Sequence, residues 1–182
     1  MYTKQPIIQR VQKLLAKKPV YLDTETTGVY TTDEIVEICI VDHDGQILLD
    51  SLVKPYNAIP AETARFHGIT NAMVQNAPTW RDIWPDVQRI LTNRRIGIYN
   101  AKFDRRMIKQ SHQQAGMTWQ GLGGKTSTFC IMKLYTEFYG KRQKLEKAGK
   151  QCGIALPNTH RAKADTLLAR ALMNYMGVAQ GK

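Results

Sequence analysis

The apolar positions of this chain change their period several times, and each change marks an element. Ile7, Ile8, Val11, Leu14 and Leu15 recur at helical spacing with Arg10, Lys13, Lys17 and Lys18 between them, predicting a short amphipathic helix within residues 1–19 that docks on the domain surface. Pro19 ends it. Val20-Tyr-Leu-Asp-Thr24 then reads as a strand running into turn chemistry at Thr26, Thr27 and Gly28. Ile35 to Val41 is dense in β-branched side chains, Asp44-Gly45 offers a hairpin turn, and Gln46 to Val53 returns, so the first three strands form an antiparallel meander.

Beyond the loop at Pro55 to Pro60, residues 61–91 alternate short helical patterns with turns. Arg95 to Tyr99 is a fourth strand and Ser127 to Cys130 a fifth. Helices are predicted over Phe103 to Gln114, Met132 to Phe138, Gln143 to Cys152 and Ala162 to Met176. The last is expected to bury Ala164, Leu167, Leu168, Ala171, Leu172 and Tyr175. A meander followed by alternating helices and strands implies an α/β domain, a mixed five-stranded sheet flanked by helices. At 182 residues and 43% apolar content, residues 20–182 suit one compact domain behind the lead-in helix. Gly121 to Gly124 lacks the lysine and hydroxyl of a phosphate cradle and reads as a connection.

Charge narrows the partners. Lys and Arg number 26 against 15 Asp and Glu, a formal charge of +11, which makes a polyanion, nucleic acid foremost, the expected partner. Such an excess also serves solubility. Arg105, Arg106, Lys141, Arg142 and Lys144 are dense enough in charge to be candidates for phosphate contact. The early apolar stretch is interrupted by cations and no run reaches membrane-spanning length, so neither secretion nor a membrane partner is expected. Cys39, Cys130 and Cys152 are scattered and unpaired in spacing, as reduced cytoplasmic thiols are.

The chemistry-bearing residues are individually weak signals. Asp23 and Glu25 are two apart at the end of a strand, which puts both carboxylates on one face where they can grip one ion, although solvated acids at strand ends are common. Asp104 closes Asn100-Ala-Lys-Phe-Asp104 at the start of a helix, where helix-dipole complementation would by itself explain an acid. His160 and Asp165 are five apart, roughly 140° around an ideal helix, and cannot share a helix face. With His160 on the loop after Pro157-Asn158 and Asp165 in the first helical turn, both reach one cleft.

Jointly the pieces resemble a family. Asp23-Thr-Glu25-Thr-Thr-Gly28, Asn100-Ala-Lys-Phe-Asp104 and His160-Arg-Ala-Lys-Ala-Asp165, in this order, resemble the three motifs of the DEDDh (DnaQ-like) 3′→5′ exonucleases across about residues 20–176. His67-Gly-Ile-Thr70 is similar to the family's histidine-glycine segment between the first two motifs. Phe103-Asp-Arg-Arg106 and Cys130-Ile-Met-Lys-Leu134 look most like the bacterial exonuclease X branch, with polymerase proofreading subunits next. Lys163 departs from the pattern, standing where the family often has an apolar residue.

The resemblance implies a ribonuclease H-like fold in which Asp23, Glu25, Asp104 and Asp165 hold two Mg²⁺ or Mn²⁺ ions. Asp23 would bridge both, Glu25 and Asp165 serve the nucleophile-side ion and Asp104 the other, with His160 taking the proton of the attacking water. Oxygen-only ligands favour these cations over zinc, and four convergent carboxylates resist ionisation without them. Thr26, Thr27, Gly28, His67, Asn100 and Phe103 would neighbour the terminal nucleotide. The implied reaction releases nucleoside 5′-monophosphates from a 3′ end, with DNA favoured over RNA. Exoribonucleases share the motifs, and a catalytically silent nucleic-acid-binding module would share the charge. The resemblance admits a polymerase partner, but the short stretch after the last helix does not indicate one, so a self-contained enzyme is expected.

Overall fold

A computed structural model, which describes residues 4–156 and 160–179, places five strands in one sheet. They are β1 (Val20–Thr26), β2 (Ile35–Val41), β3 (Ile47–Leu52), β4 (Arg95–Ile98) and β5 (Ser127–Cys130), in the order β3-β2-β1-β4-β5. The first three pair antiparallel; β4 joins β1 in parallel, and β5 joins β4 in parallel. This is the mixed five-stranded sheet the sequence pattern predicts. β1 is therefore the strand at which pairing changes sense, and the ends of β1 and β4 open side by side, where α/β sheets carry their sites.

The helices are α1 (Gln5–Leu15), α2 (Ala61–His67), α3 (Asn71–Val74), α4 (Trp80–Leu91), α5 (Ala101–Gln114), α6 (Ile131–Tyr139), α7 (Leu145–Gln151) and α8 (Ala162–Val178). Strand alternation sorts the core into two layers. Tyr21, Cys39 and Val41 face a cluster built with α1, α6, α7 and α8, whereas Val20, Leu22, Ile38, Ile40, Ile96 and Ile98 face α4 and α5. Every residue of β2 is buried, as expected of a strand covered on both faces.

α1 does more than dock on the surface. Ile7, Ile8 and Val11 are buried in the same cluster as α6 and α8, and Gln12 Nε2 donates to the Gly177 carbonyl at 2.9 Å. A Cβ on Gly177 would sit 2.5 Å from Leu15 Cδ1, so a larger residue there would push the Leu15 side chain aside.

Two expectations need correction. β1 continues through Thr26, which pairs with Ile35 across a register shift after Glu25, so Asp23 and Glu25 lie within the strand and not at its end. The buried face of α8 is turned from the predicted stripe: Ala162, Thr166, Leu168, Ala169, Leu172, Met173, Met176 and Gly177 are buried, while Ala164, Leu167, Ala171 and Tyr175 are only partly so. The reason is packing on more than one side, since α8 touches β1, β2, α1 and α7 and no single stripe describes it. No helix among the described residues is long and apolar enough to cross a membrane.

Candidate active site

Alternation along β1 aims Asp23 and Glu25 together and Thr24 the other way. Carboxylate oxygens of Asp23, Glu25 and Asp165 all lie within 4.8 Å of one another, Asp165 arriving from the first turn of α8. Asp104, in the first turn of α5, is buried and stands slightly apart: its Oδ1 accepts the Thr24 hydroxyl at 2.9 Å. All four acids line one cleft of about 640 Å³. His160 lines it too, from the loop before α8, in a left-handed conformation with φ of 50°. Pro157 and Asn158, expected to lead into it, lie outside the described residues.

The other expected site residues divide into two groups. Asn100 and Phe103 line the cleft. Thr26, Thr27, Gly28 and His67 stand outside its lining and hold the turn after β1. Thr26 donates its hydroxyl to the Gly28 carbonyl at 2.7 Å, and Thr27 donates to Asp33 Oδ1 at 2.9 Å while accepting the Glu34 N–H at 3.0 Å. His67 Nδ1 accepts the Ile69 N–H at 3.0 Å, which leaves Nε2–H to donate to the Thr26 carbonyl at 3.2 Å. Burial lowers its pKa, in keeping with a neutral ring used on both nitrogens. Lys163 points its charge away from the cleft, 3.8 Å from Asp50 of β3.

Three residues of the site region escaped sequence reasoning. Phe66, 60% exposed and on the cleft wall, stacks on His160 with ring centroids 4.2 Å apart. Glu37 is buried in β2 and accepts two bonds from Arg161 Nε, at 3.0 and 3.1 Å, and one from the Ala162 N–H at 2.8 Å. That grip fixes the start of α8, with His160 on one side and Asp165 on the other. Glu37 is also the cross-strand partner of Glu25, a repulsive pairing that Arg161 neutralises. A signal existed: Glu37 is the one charged residue in an otherwise apolar strand, and a buried acid needs a partner.

Electrostatics follow from this crowding. Burial, then the charges of Asp104, Asp165 and Glu25, push the Asp23 carboxyl well above the usual carboxylate range. Burial, reinforced chiefly by Asp165, pushes Glu25 up to about 9. Burial raises Asp104 to about 7, against the bond from Thr24 that favours its charged form. The protons belong to the cluster as a whole. An oxygen-only donor set, within mutual reach and repelling its own ionisation, fits divalent cations of the Mg²⁺ or Mn²⁺ type.

The sign of the pH dependence is thereby set. The folded cluster keeps protons that the unfolded chain has released, so its contribution to stability declines as pH rises from the ordinary carboxylate range to about 9. We expect the protein in chelator to melt at a progressively lower temperature between pH 5 and 9, Mg²⁺ to restore stability most at the alkaline end, and Glu25→Gln to flatten the profile. Thermal melts across that range check this; a flat profile insensitive to both cation and substitution would refute the repulsive cluster.

Comparison with known proteins agrees with the geometry. Residues 20–173, from the start of β1 into α8, match the family described as Exonuclease. An uncharacterized exonuclease of Escherichia phage 186 is 38% identical over 187 residues, covering 96% of this chain and 95% of that protein. The DNA polymerase III epsilon subunit of Treponema pallidum is 28% identical over 160 residues, covering 85% of this chain and 74% of that one. Exonuclease X, solved in complex with 5′ overhanging duplex DNA, shares the fold with a TM-score of 0.68 and 28% identity, covering 88% of this chain and 92% of its own. With five strands in ribonuclease H-like order and the three motifs gathered on one cleft, the chain belongs to the exonuclease family, in its DnaQ-like DEDDh division.

Proposed function

We propose that this protein is a 3′→5′ exodeoxyribonuclease that releases nucleoside 5′-monophosphates with the help of two Mg²⁺ or Mn²⁺ ions. The observation that carries the reading is the meeting of Asp23, Glu25 and Asp165 within 4.8 Å, with Asp104 and His160 on the same cleft. The four acids would hold the cations, which when bound supply charge neutralisation, activation of water and stabilisation of the leaving oxygen. His160 takes the proton of the attacking water, and Phe66 keeps its imidazole turned to the cleft. Asn100 and Phe103 contact the terminal nucleotide, and Thr26, Thr27, Gly28 and His67 shape the turn that borders it. The polymerase subunit relative and the DNA-bound exonuclease X neighbour support DNA as the substrate. Three free thiols support work in the reducing cytoplasm.

Polarity tests the reading. A 3′-terminal phosphate adds charge and bulk where a hydroxyl belongs, and desolvating it is costly, so such an end should resist digestion while a 5′ block matters little. Matched DNA and RNA strands, labelled at either end, blocked at either end, or closed into circles, are incubated with Mg²⁺ and the products identified. Mononucleotides from the 3′ end of DNA are expected. Rapid loss from the 5′ end, or cutting of a circle, would overturn the assignment, and faster digestion of RNA would overturn the substrate.

A further inference from the structure

The outer faces of α5 and α6 carry positive charge beside the catalytic cleft. Lys102, Arg105, Arg106 and Lys109 on α5, Lys133 on α6 and Arg142 just beyond it line a groove of about 920 Å³. All six are exposed, and among the described residues none forms a salt bridge. Glu137, the acid on the groove wall, pairs with Arg10 at 2.6 Å. Trp119 closes one side, with the rings of Trp84 and His112 packed behind it at centroid distances of 6.1 and 4.8 Å. Lys141 lines neither cavity and Lys144 lines the cleft, so the groove is a narrower set than the cationic runs of the sequence suggest.

Position gives the groove its meaning. Asn100, Met132 and Arg142 line both the groove and the catalytic cleft, so the two are continuous. An exonuclease that seats a 3′ end among its carboxylates must lead the remaining strand away over its surface, and the carboxylates themselves repel phosphates. Six cations in a concavity reached from the cleft offer that path, because a concave wall of one sign concentrates the field that a polyanion follows. An aromatic face beside such a track suits an unpaired base, whatever its identity.

We propose that this groove holds the phosphodiester backbone upstream of the terminal nucleotide, the body of the strand being shortened. The proposal rests on the exonuclease reading above. It separates the cations that retain the strand from the residues that cut it. Loss of the groove should therefore weaken binding of long substrates and spare the cleavage of small ones.

The test compares wild type with Arg105→Ala/Lys109→Ala/Lys133→Ala, and with Lys13→Ala/Lys17→Ala/Arg94→Ala, which removes equal charge from exposed positions remote from the groove. Each is assayed with Mg²⁺ on a single-stranded 20-mer, on a duplex of the same sequence with a 5′ overhang, and on the p-nitrophenyl ester of thymidine 5′-monophosphate. For the groove variant, KM on the single strand should rise roughly tenfold or more at unchanged kcat, and the log–log salt slope of binding should fall by about 2, three lost contacts at about 0.7 each. Ester hydrolysis and the melting temperature should stay at wild-type values, as should everything in the remote variant. An unchanged KM and salt slope, an effect confined to the duplex, or an equal loss in the remote variant would overturn the proposal. A parallel fall in ester hydrolysis would do so as well. If wild type itself cleaves neither ester nor strand, the exonuclease reading fails instead.

Discussion

Asp165→Asn is expected to abolish nucleotide release while leaving the fold intact, and Asp23→Asn to do the same. Each substitution keeps the side-chain volume and removes one negative charge from oxygens held within 4.8 Å of two others. What is lost is the grip on cations that supply several kcal/mol of transition-state stabilisation, about 10³-fold in rate or more. What is gained is relief of repulsion, because Asp165 is among the charges pushing both Asp23 and Glu25 upward. Both variants should accordingly melt higher than wild type in chelator and gain less from added Mg²⁺. Activity assays on protein freed of contaminating nuclease, run beside melts with and without the cation, check both halves. Wild-type-like turnover in either variant would end the metal assignment.

The second large effect is expected at a residue outside the carboxylate trio. His160→Ala should lose roughly 10²–10⁴ in kcat, the usual scale of general-base assistance, while binding Mn²⁺ as wild type does. The separation rests on geometry: His160 shares the cleft with the acids, yet it stacks on Phe66 and is not among the three residues whose ligand atoms converge. Calorimetric titration with Mn²⁺ beside single-turnover kinetics distinguishes the roles. A variant that binds the ion as poorly as Asp165→Asn would make His160 a ligand.

These two roles were legible in the sequence to different depths. Strands and helices followed from period, because β1, β2 and α5 each present a pattern that one environment explains. The phase of α8 did not, since a helix buried on several sides has no single stripe to read. The acids and His160 were legible only together: Asp23 and Glu25 by alternation, Asp104 and Asp165 by their places at helix starts. Phe66, Glu37 and Arg161 stayed hidden because their meaning lies in partners 94 to 124 positions away; Glu37 and Arg161 alone are separated by 124. His67 shows the converse case. Its segment matched the family motif, but both ring nitrogens serve the backbone near Thr26, and only coordinates reveal that.

The Glu37–Arg161 grip has a consequence for the birth of the protein. The first of the acids proposed to hold cations are synthesised early, in β1, while His160 and Asp165 flank a helix start that Arg161 and the Ala162 N–H tie to Glu37. A chain emerging from the ribosome N-terminus first therefore lacks His160 and Asp165 for most of its synthesis. The proposed catalytic set is complete only with α8, which packs on β1, β2 and α1 in one of the two core layers. On the proposed mechanism, chains that stop short of α8 are expected to leave nucleic acid uncut, because they lack Asp165.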